Sequence, residues 1–96
     1  MTWPKRHTRR IHIGGVEYLW HLSGNAIDTP ANITVGTEDG AYFLFIDPYA
    51  HDFEITPSSV RAATDWALAE GWSPERGPTM RMAYSMDKRE FIWLTE

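Results

Sequence analysis

The chain has 96 residues, no cysteine and a formal net charge of −4. This length suits one domain with a modest core, and the lack of cysteine excludes disulfide scaffolding, thiol catalysis and thiolate metal sites. Four of the nine basic residues fall in the first ten positions, whereas all thirteen acidic residues follow them. An acidic body with a short basic arm is a poor composition for binding a phosphate backbone.

The hydropathy pattern indicates neither a membrane protein nor a secreted one. No apolar run approaches the roughly 18 residues of a membrane span, and the N-terminus lacks the pattern of a signal peptide. We therefore expect a soluble, cytoplasmic protein that forms one domain over residues 1–96, with a basic arm at residues 1–8. Its five Trp, four Tyr and four Phe exceed what a core of this size hides, so we expect some of these rings at an interface.

The first predicted element is a β-hairpin that turns at Gly14 and Gly15. Two glycines between alternating apolar and polar residues are typical of a two-residue hairpin turn. The turn sets the register, and the apolar side chains of both strands then share one side. The predicted pairs are Ile13 with Val16, Ile11 with Tyr18 and Arg9 with Trp20 on that side, and His12 with Glu17 and Arg10 with Leu19 on the reverse side.

A loop is predicted over residues 23–31, followed by a second hairpin over residues 32–37 and 41–47 that turns at Asp39 and Gly40. The predicted pairs of this hairpin are Val35 with Leu44, Ile33 with Ile46 and Thr37 with Tyr42. Phe43 and Phe45 then point to the opposite face. Because this strand is then apolar on both faces, the face with Phe43 and Phe45 must also be buried, either by another layer of the fold or by a partner subunit. Residues 53–55 are predicted as a short extended segment leading to a helix.

The helix is the best-marked element of the sequence. Thr56 is a good N-cap, Pro57 suits the first helical position, and Gly71 can adopt the left-handed geometry that ends a helix. We expect a helix over about residues 57–70. The residues predicted on its buried face are Val60, Ala63, Thr64, Ala67 and Gly71, with Trp66 and Leu68 on the flanks and Arg61, Ala62, Asp65 and Ala69 outside.

A last hairpin follows the helix. It turns near Asp87 and Lys88, and its predicted pairs are Tyr84 with Phe91 and Met82 with Trp93. The resulting order is four strands, one helix and two strands. Short turns between neighbouring strands predict the α+β class, with an antiparallel sheet of five to six strands built from hairpins and the helix packed on one face.

The segment from Ile55 to Met82 contains T-P-x-x-V-R, an alanine-rich stretch, G-W-x-P and a G-P-x-x-R strand. It resembles a recurring pattern in small uncharacterised bacterial proteins, and the likeness covers about a third of the chain. The resemblance implies a small α+β domain and brings no catalytic residues with it.

Two polar groups are candidates for acid–base or metal chemistry, since imidazole titrates near neutrality and carboxylates bind cations. One is the loop with Asp47, His51 and Asp52, and the other is the reverse side of the first hairpin, with His12, Glu17 and His21. The spacing fits no metal motif, and His12 with Glu17 is an ordinary cross-strand charge pair. We therefore expect a solvated loop and an ion pair, with no metal and no cofactor.

The aromatic residues are the stronger candidates for a binding or interface role: Phe43, Phe45, Trp20 and Trp93. Aromatics on a sheet face stack bases in some RNA-binding domains, but on a small domain they more often form a dimer interface. The sequence therefore favours a non-catalytic binding or regulatory module, a homodimer, that presents an aromatic surface to a protein or a small apolar ligand. The alternatives are a small enzyme that uses histidine and carboxylate, and a single-stranded nucleic-acid binder.

Overall fold

The computed structural model describes residues 8–25, 29–47, 56–85 and 87–94. This part of the chain forms one mixed sheet and one helix, which confirms the α+β class. It contains no helix long and apolar enough to cross a membrane. The elements are β1 (Thr8–Ile13), β2 (Val16–Asn25), β3 (Thr29–Gly36), β4 (Leu44–Asp47), α1 (Pro57–Ala69), β5 (Met80–Ser85) and β6 (Glu90–Trp93).

The six strands lie in the sheet in the same order as in the chain, β1 to β6. Four of the neighbouring pairs are antiparallel, as predicted, but β4 and β5 are parallel. The prediction that short turns join all neighbouring strands is wrong at this pair. Helix α1 connects β4 to β5, and such a crossover returns the chain to the same end of the sheet, so the next strand runs in the same direction.

The hairpin registers are those that the apolar alternation predicts. Ile11 lies opposite Tyr18, and His12 lies opposite Glu17. The predicted pairs of the other hairpins are also confirmed where the strands are paired: Ile33 with Ile46, Val35 with Leu44, Met82 with Trp93, and Tyr84 with Phe91. A one-residue slip would move each apolar set to the other face of the sheet, and this explains why the pattern specifies the register so firmly.

Two predicted connections are wrong. The loop over residues 23–31 is shorter, because β2 continues to Asn25 and β3 starts at Thr29, with an irregular register between Ser23 and Asn25. The pairing of Thr37 with Tyr42 is absent from the sheet, since β3 ends at Gly36 and β4 starts at Leu44. The Tyr42 amide instead donates to the Pro74 carbonyl at 3.2 Å, so this loop is held by the segment that follows the helix. The predicted extended segment at residues 53–55 and the arm at residues 1–7 lie outside the described residues.

Helix α1 begins as the sequence predicts. Thr56 is the N-cap, and its hydroxyl accepts a hydrogen bond from the Ser59 amide at 3.1 Å. Pro57 occupies the first turn, where its missing N–H leaves no partner unsatisfied.

The end of the helix is a Schellman motif. The Trp72 amide donates to the Ala67 carbonyl at 2.9 Å, and the Gly71 amide donates to the Leu68 carbonyl at 3.2 Å. Gly71 has a φ of 110°, which favours glycine. Gly71 itself is exposed, so its predicted place on the buried face is wrong. The next residue, Trp72, turns back into the core and is 2% exposed.

The core lies between α1 and one face of the sheet, which we call the helix face. The small residues of the helix are buried as predicted, and Trp66 and Leu68 flank them half-buried. Small side chains let the helix backbone lie close to the sheet, where it comes nearest to β1. The buried core contains Ile11, Tyr18, Trp20, Ile33, Val35, Leu44, Ile46, Val60, Ala63, Ala67, Trp72 and Met82.

Candidate functional site

Four aromatic side chains form a continuous cluster where helix α1 meets the outer strand β6. The Trp66 ring lies 5.7 Å from that of Phe91 and 4.8 Å from that of Trp93, between ring centroids. The Tyr84 ring lies 5.4 Å from Phe91 in an edge-to-face arrangement. All four side chains are half-buried. We call this cluster of Trp66, Tyr84, Phe91 and Trp93 the aromatic rim.

The strand registers explain why the aromatic rim forms. Phe91 and Trp93 are two residues apart on β6, so both point to the helix face. Their neighbours on β5 are Tyr84 and Met82. Met82 is fully buried in the core, whereas the Tyr84, Phe91 and Trp93 rings are half-buried. Such rings offer apolar area and favourable ring-stacking geometry, which suits the binding of an apolar or aromatic group.

The opposite side of the sheet, which we call the open face, carries the predicted phenylalanines. Leu44 and Ile46 are fully buried on the helix face, so the alternation places Phe45 on the open face, between Thr34 of β3 and Arg81 of β5. Phe43 precedes β4, and its carbonyl accepts a hydrogen bond from the Met80 amide at 3.0 Å. Both phenylalanines are half-buried and neither belongs to the core cluster under the helix.

Trp20, the remaining aromatic candidate, is a core residue with 4% exposure. The guanidinium carbon of Arg9 lies 5.8 Å from the centroid of its ring. Its indole nitrogen is buried, and no described residue forms a hydrogen bond with it. Trp20 therefore contributes no accessible surface, and of the two predicted tryptophans Trp93 is the one at a surface.

The polar candidates of the first hairpin form an exposed ion-pair group. Glu17 lies between two basic residues and pairs with Arg10 and with His12, whose Nε2 is 3.3 Å from the carboxylate. The His12 side chain is 68% exposed and that of Glu17 is 40% exposed, so solvent screens this pair. His21 is half-buried on the same face, and its Nδ1 is buried with no hydrogen-bond partner among the described residues.

Of the predicted loop with Asp47, His51 and Asp52, the structure describes only Asp47. Asp47 ends β4 and is half-buried, while His51 and Asp52 lie outside the described residues. Within residues 8–25, 29–47, 56–85 and 87–94, no three His, Asp or Glu side chains lie close enough to hold a metal ion.

A cleft of about 340 Å³ lies at the end of the sheet where the loop after β3 meets the segment after the helix. Two of its lining residues, Asp39 and Glu75, are acidic. Burial raises the pKa of the nearby Tyr18 phenol above its ordinary value, and the negative charge of Glu75 raises this pKa further. The cleft is lined by Thr37, Asp39, Gly40, Ala41 and Glu75.

Sequence reasoning missed Trp66 as a member of the aromatic rim and Trp72 as a core residue. The sequence predicted Trp66 only on a flank of the helix. A large ring beside a stripe of small residues can extend beyond the helix and contact a strand that is distant in the chain. Trp72 follows the glycine that ends the helix, a position that commonly makes a hydrophobic contact back to the last turn. Its ring packs 6.4 Å from that of Tyr18, between centroids. These two signals would have identified both residues.

Comparison with protein families, curated proteins and solved structures found no match to this chain.

Proposed function

We propose that this protein is a non-catalytic binding module whose binding surface is the aromatic rim. The main observation in support is the continuous cluster of four half-buried rings. The Trp66 ring contacts those of Phe91 and Trp93, with centroids 5.7 and 4.8 Å apart, and Tyr84 contacts Phe91. Tryptophan and tyrosine are enriched where proteins bind one another, because each supplies a large, rigid apolar area with few rotatable bonds. The expected ligand is a protein or a small apolar molecule.

The position of the rim supports this proposal. The rings lie beside an outer strand, where a bound molecule could contact both the apolar surface and the backbone of β6. By contrast, the side chains of Arg10, His12 and Glu17 are 61%, 68% and 40% exposed, so solvent competes for any ligand there. The described residues that line the acidic cleft include no aromatic ring.

A dye titration tests the proposal. We expect 1-anilinonaphthalene-8-sulfonate to bind the folded protein at low protein concentration, with a rise in fluorescence. The substitution Trp93→Gln should weaken this binding about fivefold to tenfold, since losing one ring contact costs about 1–1.4 kcal/mol. The matched control is Tyr42→Ser, which removes a 37% exposed ring outside the rim. Equal dye affinity of the two folded variants would overturn the proposal.

A further inference from the structure

The outer strand β6 has backbone groups that its neighbour does not use. Among the described strands, β6 pairs only with β5. The Leu94 amide donates to the Arg81 carbonyl at 2.8 Å. In an antiparallel pair, hydrogen-bonded and non-hydrogen-bonded positions alternate. Ile92 therefore also directs its backbone groups to β5, whereas Phe91 and Trp93 direct theirs away from the sheet. This leaves two donors and two acceptors along one edge.

The two edges of the sheet differ in charge. The outer strand β1 carries Arg9, Arg10 and His12, and charged side chains on an edge oppose pairing with another strand. The stretch Phe91–Leu94 carries no charge, and its last residue is 37% exposed. β6 itself begins with one charged residue, Glu90, so Phe91–Leu94 is the uncharged part of this edge. An uncharged apolar stretch on an edge is a template for strand addition, so β6 is the edge more open to a partner.

We propose that β6 pairs antiparallel with the β6 of a second copy of this chain, about a two-fold axis through Ile92. This inference rests on the proposed function and names its partner. In this register Phe91 lies opposite Trp93 of the second copy, and Trp93 lies opposite the second Phe91. Both pairs are hydrogen-bonded positions, so the outward donors and acceptors form four hydrogen bonds and the two sheets become one.

The side chains of β6 fit the same register. The Phe91 and Trp93 rings of both copies meet on the helix face and join the two aromatic rims, and such cross-strand ring pairs stabilise a sheet. The two Ile92 side chains meet on the open face, at a non-hydrogen-bonded position. No like charges come together within Phe91–Trp93. An interface in which the same patch serves both copies closes as a dimer and does not extend into a filament.

The helix leaves space for a second strand at this edge. Among the described elements, its backbone makes most of its close approaches to the sheet at β1, the opposite edge, and the Trp66 side chain contacts the rings of β6. A paired strand of about five residues buries less than the roughly 800 Å² per partner of a standard interface. We therefore expect a dimer that dissociates on dilution.

Oxidative cross-linking of Ile92→Cys tests this register. The chain has no cysteine of its own, so the new thiol would be unique. Cα atoms at a non-hydrogen-bonded antiparallel pair are about 4.5 Å apart, within the range of a disulfide. We expect a covalent dimer under oxidising conditions, in a yield that rises with protein concentration. Val16→Cys, at a 44% exposed position beside the first turn, is the matched control and should stay monomeric.

A third variant, Thr34→Cys, examines the open face beside Phe45. Cross-linking of Thr34→Cys without Ile92→Cys would place the dimer on the open face and overturn pairing through β6. A monomeric wild-type protein in sedimentation at high concentration would also overturn it, whatever the folding of the variants. If the wild type were monomeric but still bound dye, and Trp93→Gln lowered the dye affinity, the proposed binding function would hold without the dimer. A monomeric wild type whose dye affinity is unchanged by Trp93→Gln would overturn both proposals.

Discussion

The indole rings of Trp66 and Trp93 lie 4.8 Å apart with an interplanar angle of 44°, and this contact connects the helix to the outer strand of the sheet. Each ring is half-buried, so the contact both stabilises the fold and remains accessible to a partner. Because Trp66 also contacts Phe91, a single helical residue positions both apolar side chains that β6 presents on the helix face.

We expect Trp66→Ala to lower the free energy of unfolding by about 2–3 kcal/mol, below the range for a fully buried ring, because the side chain is only partly covered. Urea denaturation followed by circular dichroism measures the loss. Asp65→Ala, at an exposed position of the same helix, is the control and should change stability by less than about 0.5 kcal/mol. Similar stability of the two variants would contradict the role given to the Trp66 contacts.

Thr56→Ala should destabilise the protein by about 1 kcal/mol, since the Ser59 amide then loses the hydroxyl that accepts its hydrogen bond. Thr56→Ser keeps that acceptor and should retain most of the stability. Ser58→Ala, at an exposed position in the first turn, is the control. Thermal denaturation of the three variants checks the order, and an equal loss in Thr56→Ala and Thr56→Ser would show that the cap is unimportant.

Gly77→Ala should cost about 1–3 kcal/mol for two reasons. The φ of Gly77 is 62°, a conformation that alanine rarely adopts, and a Cβ at this position would overlap the Tyr42 ring. Adding Tyr42→Ser removes the overlap but leaves the backbone strain. Denaturation of the single and double variants should therefore show a partial recovery. No recovery would assign the whole cost to the backbone.

Stability should decrease above about pH 10, in part because of Tyr18. Its pKa is raised by burial and by the charge of Glu75, so the folded protein keeps the phenol proton more tightly than the unfolded chain does. Below the unfolded pKa of about 10 the phenol is protonated in both states, so its contribution to the free energy of unfolding is constant. That contribution is lost as the pH rises through the folded pKa. Denaturation at a series of pH values should show a smaller decrease for Tyr18→Phe than for the wild type. Equal decreases would contradict the assignment.

The apolar alternation and the caps were sufficient to predict the helix and the hairpin registers over the paired parts of β1 with β2, β3 with β4, and β5 with β6. Ile11 with Tyr18 and Met82 with Trp93 follow from turn position and the two-residue period alone. The parallel pairing of β4 with β5 was missed because direction depends on where the helix returns the chain. The loop before β4 was also missed, since its conformation depends on the Pro74 carbonyl, more than thirty residues away from Tyr42.

The candidate surface was predicted only in part, for a related reason. Trp93 was identified, but the phenylalanine and tryptophan that contact Trp66 come together through a helix and a strand that are far apart in the chain. Periodicity assigns a residue to a face of its own element. Which faces meet is determined by tertiary packing, so Trp66 could be assigned to a flank of the helix without any sign of its partners.

Sedimentation of charge variants at Ile92 tests pairing through β6 most directly. In the proposed register this side chain faces its own copy, so Ile92→Lys and Ile92→Glu should each be monomeric because like charges meet at the two-fold axis. An equimolar mixture should recover a dimer, since Lys and Glu then lie opposite one another. We therefore expect Ile92→Lys and Ile92→Glu to be monomeric when each is alone and dimeric when the two are mixed. A mixture that stays monomeric while the wild type dimerises, or single variants that dimerise as the wild type does, would contradict it.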